Sequence, residues 1–194
     1  VPPFSRLLPD VGGRETIRTI GFVGELNENK GVDRLLDMAP ALARGGYRLL
    51  LFGRGSLRSR AEQVGAALAG AVRVDEFSGD PAAAYRRMDV LVLLSVCEGL
   101  PLVVLEAISA GLPVLATRTG SLPDHFGDGE GVRYLDQVSA EQLLERLASL
   151  RDDKVREGIV ERGRARLHTE LEPAVLTDRL IRLYAGSIGA AHDR

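Results

Sequence analysis

Two carboxylates eight positions apart, Glu98 and Glu106, lie in the segment Ser95-Val96-Cys97-Glu98-Gly99-Leu100-Pro101-Leu102-Val103-Val104-Leu105-Glu106-Ala107. The segment starts where the apolar run Val90–Leu94 ends and continues into a helical pattern over Pro101–Ala110. A proline near the start fits a helix's first turn. The unpaired N–H groups and positive dipole end there make an anion site suited to phosphate. Two turns of helix hold the carboxylates roughly 12 Å apart along the axis. That is too far to share a proton or to act as a glycosidase pair. It suits two hydroxyl-rich portions of one extended ligand, with an anion between them. The competing explanation is a helix-start glutamate beside an unrelated surface one.

Other chemistry-bearing residues lead less far. Gly53-x-Gly55 lacks the third glycine of a dinucleotide fingerprint, since Arg58 stands there, and there is no P-loop. Cys97 has no histidine linked to it by any motif and reads as a small buried residue. His125, His168 and His192 share no metal-ligand spacing, and Asp128-Gly129-Glu130 reads as a solvated loop, so no metal is expected. The basic stretch Arg162, Arg164, Arg166 could touch a membrane surface, but its acidic neighbours favour a solvated helix face.

The elements that must position Glu98 and Glu106 can be read from the hydrophobic pattern. Strands are expected at Ile17–Val23, Tyr47–Phe52, Val72–Phe77, Val90–Leu94, Pro113–Ala116 and Val132–Leu135. Between them fall helices that begin near Val32, Leu57, Asp80-Pro81 and Pro101. A capping box, Ser139 to Gln142, opens another helix, and Asp153–Leu167 and Pro173–Ile188 read as two more. Strand–helix alternation predicts an α/β domain: a parallel sheet with helices on both faces, its ligand held beyond the strands' carboxyl ends. Residues 1–15 read as a linker, 16–170 as the domain and 171–194 as a terminal helix. The composition, 194 residues with 45% hydrophobic and 27% charged, suits one such domain. A formal net charge of −2 gives no basic field for nucleic acid. A lone cysteine excludes an internal disulfide and points to a reducing compartment, hence a cytoplasmic protein. The start, Val1-Pro2-Pro3-Phe4, has neither an initiator methionine nor a basic leader; an excerpt of a longer protein is expected.

The segment around Glu98 resembles the Glu-x7-Glu signature of the group 1, glycogen-synthase-like retaining glycosyltransferases of GT-B fold, which use nucleotide sugars. Its neighbours fit as well. Gly24 with Lys30-Gly31-Val32-Asp33 is similar to the family's first strand–loop–helix, and Leu50-Leu51-Phe52-Gly53-Arg54-Gly55 to its second strand and Gly-x-Gly turn. Tyr85-Arg86-Arg87-Met88-Asp89-Val90 resembles the stretch leading into the signature strand. Ala107-Ile108-Ser109-Ala110-Gly111-Leu112-Pro113-Val114, Gly120 through Asp124, and Gly131 are similar to the family's helix end, strand and loops beyond the signature. The resemblance covers about Ile17–Leu150, the carboxyl-terminal half of such an enzyme.

It implies a Rossmann-like half-domain that binds a nucleoside-diphosphate sugar as substrate and needs no cofactor or metal. The missing amino-terminal half would hold a saccharide or lipid-linked acceptor, and Pro173–Ile188 would cross back to that half. Lys30 then corresponds to the cation that meets the donor diphosphate, Glu98 to the carboxylate facing the sugar, and Glu106 to the one on the ribose hydroxyls. The amides of Gly99, Leu100 and Leu102 would lie near the phosphates, although Pro101 has no N–H to give. Gly24 belongs to the donor loop, and Gly53 would let the backbone approach the ligand. Bacterial surface-polysaccharide or glycolipid synthesis is implied, with the protein at the inner face of the membrane.

One departure matters. The family usually has Arg after the glycine at position 24, and here Glu25 stands instead. A carboxylate 4 Å from a phosphate charge would cost about 4 kcal/mol at an effective dielectric near 20. Glu25 must therefore face elsewhere or be neutralised, with Arg54 or Arg118 as substitutes and His125 as a further residue near the ligand. The loop Gly24-Glu25-Leu26-Asn27-Glu28-Asn29-Lys30 still looks like a variant among bacterial surface-polysaccharide members. Leu94, where the family often has Pro, and Asp124, where it often has Glu, are mild departures. The alternatives are a non-catalytic interaction domain disabled by Glu25, an NAD-binding oxidoreductase domain without its glycine fingerprint, and an inverting GT-B enzyme or epimerase of similar fold.

Overall fold

Each apolar run becomes a strand, and each strand is slightly shorter than its run. A computed structural model describes residues 8, 10, 16–76 and 81–171. The strands are β1 (Thr19–Val23), β2 (Arg48–Phe52), β3 (Val72–Asp75), β4 (Val90–Leu93), β5 (Val114–Ala116) and β6 (Val132–Tyr134). The helices are α1 (Val32–Arg44), α2 (Arg58–Ala67), α3 (Pro81–Tyr85), α4 (Leu102–Ser109), α5 (Leu122–His125), α6 (Ala140–Ser149) and α7 (Asp153–Leu171). The ends are trimmed because their amides have other partners. Arg18 and Thr19 donate their N–H groups to one oxygen of Asp89, at 2.9 and 2.7 Å. Tyr47 donates to the Leu42 carbonyl at the end of α1.

All strand pairs are parallel, in the order β3-β2-β1-β4-β5-β6. Every residue of β4 and β5 is buried, as a sheet covered on both faces requires. The chain leaves β1 toward β2 on one side and, after β3, returns to β4 on the other. The loops after β1 and β4 therefore diverge and open a crevice between them, the place where such sheets bind ligands. That crevice lies beside Lys30 and Glu98.

Three details differ from the sequence reading. Ser139 does cap α6, accepting the Gln142 N–H at 3.2 Å, but Gln142 Oε1 accepts from the Gln137 amide, so the box is not reciprocal. Helix α5 has no counterpart in the sequence pattern, since four residues are too few to show a period. The arginines of α7 do more than face solvent, although Arg162 is exposed and Arg164 and Arg166 are half-buried. Arg162 donates to the Gly129 carbonyl, Arg164 to Ser109 and Asp10, and Arg166 to the His125 carbonyl, so all three fasten α7 to the domain. The linker 1–15 (except Leu8 and Asp10), Asp80, Phe77 and the helix expected at Pro173–Ile188 lie outside the described residues. Among the described residues no helix is long and apolar enough to cross a membrane.

Candidate functional site

The loop after β1 is built to carry Lys30 to the end of β4. Asn27 Oδ1 accepts the Lys30 amide at 2.9 Å, and Gly31 caps α1 with φ 70°. A Cβ at Gly31 would lie 2.2 Å from the Leu94 carbonyl oxygen, so only glycine lets α1 abut β4 this closely. The Val96 amide donates to the Asn29 carbonyl, and the Asn29 side-chain amide donates to the Cys97 carbonyl. With the two loops joined, Lys30 Nζ sits 2.7 Å from Glu98 Oε1. Ser95, itself buried, donates its hydroxyl to the same oxygen at 2.8 Å. Lys30 keeps 28% of its side chain exposed and Glu98 keeps 11%, so both remain within reach of a ligand. Cys97, next to Glu98 in the loop after β4, is exposed, which corrects the expectation that it is a small buried residue.

Glu98 leads directly into α4. The N-cap is Pro101, in extended conformation and without a side-chain cap, which leaves the first-turn amides of Leu102 and Val103 with no partner inside the helix. The Gly99 carbonyl is already used: the Ser121 N–H donates to it at 3.0 Å, fixing the loop after β5 against this turn. Gly99 is exposed and Leu100 is half-buried at the same rim.

Glu106 lies in the second turn of α4, half-buried. The phenol of Tyr85 donates to its Oε2 at 2.5 Å, and Tyr85 is fully buried. Burial, reinforced by the Glu106 charge, pushes the Tyr85 hydroxyl far above the ordinary tyrosine range, so it stays protonated and donating. Tyr85 and Ser95 touch the two carboxylates directly, yet the sequence alone assigns neither a role. Tyr85 opens a family-like motif, but nothing in linear spacing puts it under a residue 21 positions later.

The remaining candidates are arranged differently. A Cβ on Gly53 would lie 1.9 Å from the Gly24 carbonyl oxygen, so the close approach Gly53 permits here is to the β1 loop, which its own loop braces. The Leu26 carbonyl accepts from the Leu57 amide, and the Leu26 amide donates to the Arg54 carbonyl across the same seam. Glu25 is exposed at the loop's tip. Arg54 is paired with Glu76 at 2.6 Å. Arg118 lies over the Tyr134 ring at 4.3 Å and 3.6 Å from Asp136. Both substitute cations are thus engaged elsewhere. His125 closes α5, and its carbonyl accepts from Arg166. Among the described residues no cluster of three or more His, Cys, Asp or Glu side chains could hold a metal ion. A cavity of about 520 Å³ lined by Thr16, Arg18, Gly45 and Arg151 opens at the opposite, amino ends of the strands.

Fold and site together define a Rossmann-like α/β domain, the carboxyl-terminal half of a GT-B protein. The chain belongs to the glycosyl transferases group 1 family, whose model matches residues 17–153. It is 25% identical over 171 residues to the capsular polysaccharide biosynthesis glycosyltransferase CapM of Staphylococcus aureus, covering 85% of this chain and 45% of that one. It is 31% identical over 182 residues to the phosphatidyl-myo-inositol mannosyltransferase of Mycolicibacterium smegmatis, covering 89% of this chain and 46% of that one. The crystal structure of Anabaena HepE in complex with UDP superposes with a TM-score of 0.74 at 17% identity, over 88% of this chain and 49% of that one. The chain thus spans less than half the length of these two curated relatives.

Proposed function

We propose that this chain is the donor-binding half of a retaining glycosyltransferase that moves a sugar from a nucleoside diphosphate to a saccharide or lipid-linked acceptor. The observation that carries the reading is the Lys30–Glu98 ion pair at the β1/β4 crevice, set at the uncapped start of α4 with Glu106 further along the same helix. Family membership, and relatives named for capsular polysaccharide synthesis and for mannosyl transfer to phosphatidyl-myo-inositol, support it. So does the UDP held by HepE, a protein of the same fold.

The bond to be broken joins the sugar's anomeric carbon to a diphosphate oxygen. Negative charge grows on that oxygen as the bond lengthens, and the Lys30 ammonium, with the α4 amides, would stabilise it. Glu98 would then leave Lys30 and accept hydroxyls of the sugar, while Glu106 accepts those of the pentose. The same carboxylates bracket the donor and hold it for attack. No cofactor enters this scheme. The acceptor is held by the other half of the protein, which would work in the cytoplasm at the inner face of the membrane.

The test is titration calorimetry of the 194-residue chain with UDP, GDP and ADP. One of the three is expected to bind weakly, with little or no sugar transfer by this half alone. Absence of binding to all three would remove the basis of the assignment.

A further inference from the structure

Glu106 has to present a carboxylate in a fixed direction if it is to read a sugar hydroxyl, yet it stands half-buried on the surface of α4. A glutamate in that setting samples several rotamers and loses entropy when one is selected. In this protein one rotamer is already selected. Tyr85, the last residue of α3, has no exposed surface, and its hydroxyl donates at 2.5 Å to Glu106 Oε2, with the Val103 carbonyl 3.4 Å away as a second acceptor. We propose that Tyr85 is a positioning residue that ties down one oxygen of Glu106 and leaves the other as the acceptor that tells a ribonucleotide from its 2′-deoxy counterpart. The inference rests on the donor-site reading above, in which Glu106 meets the pentose.

Three features separate this arrangement from a buried tyrosine that merely satisfies its hydroxyl. The phenol meets a carboxylate on the site-bearing helix, and a bond to a charged acceptor is the strong kind. Tyr85 cannot touch the nucleotide itself, because it is wholly enclosed, so its effect must pass through Glu106. Burial also holds the hydroxyl well above the ordinary tyrosine range, so it is the donor of this bond.

The experiment is calorimetry on the whole chain with whichever of UDP, GDP or ADP binds best, and with the same nucleotide lacking its 2′-hydroxyl. Wild type is expected to prefer the ribo form by about tenfold, the worth of one hydrogen bond to a charged group. In Tyr85→Phe the ribo form should weaken until the preference is about twofold or less, while the deoxy form keeps its affinity. A purely structural role would weaken both forms alike. If Tyr85→Phe does not fold, Tyr85→Leu serves. It removes the hydroxyl but leaves Glu106 itself unchanged, and it too should lose the preference. Full discrimination retained by either variant overturns the positioning role and leaves the donor site standing. A wild type that binds none of the three nucleotides overturns both.

Discussion

At the scale of single residues, the site is a set of charges already committed to one another. The Lys30–Glu98 pair is partly desolvated and held by Ser95, so a ligand must offer each partner at least what the other now supplies. A diphosphate offers Lys30 two negative groups, and a sugar offers Glu98 its hydroxyls. Replacing Lys30 with Gln should therefore weaken nucleoside diphosphate binding by about ten- to a hundredfold. It should also flatten the salt dependence of the remaining affinity, which titrations at low and high ionic strength would check. Unchanged affinity would mean that the anion is held elsewhere. Lys30 is singled out only by the family resemblance and reaches Glu98 through the fold, whereas Glu98 and Glu106 are legible in the sequence because one loop and one helix fix their spacing. Tyr85 and Ser95 are not, because hydroxyls placed beneath a carboxylate depend on how α3 and β4 pack. The roles expected of Arg54 and Arg118 rest on charge alone, and the structure gives each a different partner.

At the scale of elements, the crevice exists because glycines let loops touch. Gly31 sits at φ 70° with the Leu94 carbonyl where a Cβ would go. A Gly31→Ala substitution should cost about 3 kcal/mol, from a left-handed φ together with a backbone clash. Because that clash pushes the Lys30 loop from the Glu98 loop, nucleotide affinity should fall with it. Urea unfolding and then calorimetry would measure both, and a variant as stable as wild type would show that the contact is easily relaxed. The six strands and most helices are readable from apolar runs and their periods, since a doubly covered sheet writes itself as continuous hydrophobic segments. Their ends are not. Asp89 draws the Arg18 and Thr19 amides out of the ladder, and no local pattern announces a side chain 70 positions away. Helix α5 gives no signal, and the purpose of the α7 arginines becomes clear only with the carbonyls they reach.

At the scale of the whole molecule, the sheet order turns two distant loops into one site, and only part of that order can be read from the chain. Alternating strands and helices call for a parallel sheet, but the β1/β4 switch point depends on the long return after β3, which no single motif encodes. The chain accounts for less than half of each curated relative cited above. In the proposed function the β1/β4 crevice receives a diphosphate. A crystal of this chain grown with the best-binding nucleoside diphosphate tests it most directly. The expected density has the diphosphate at the Leu102 amide, Lys30 turned from Glu98 toward it, and the pentose beside Glu106. A nucleotide bound at the amino ends of the strands, with Lys30 still on Glu98, would contradict it.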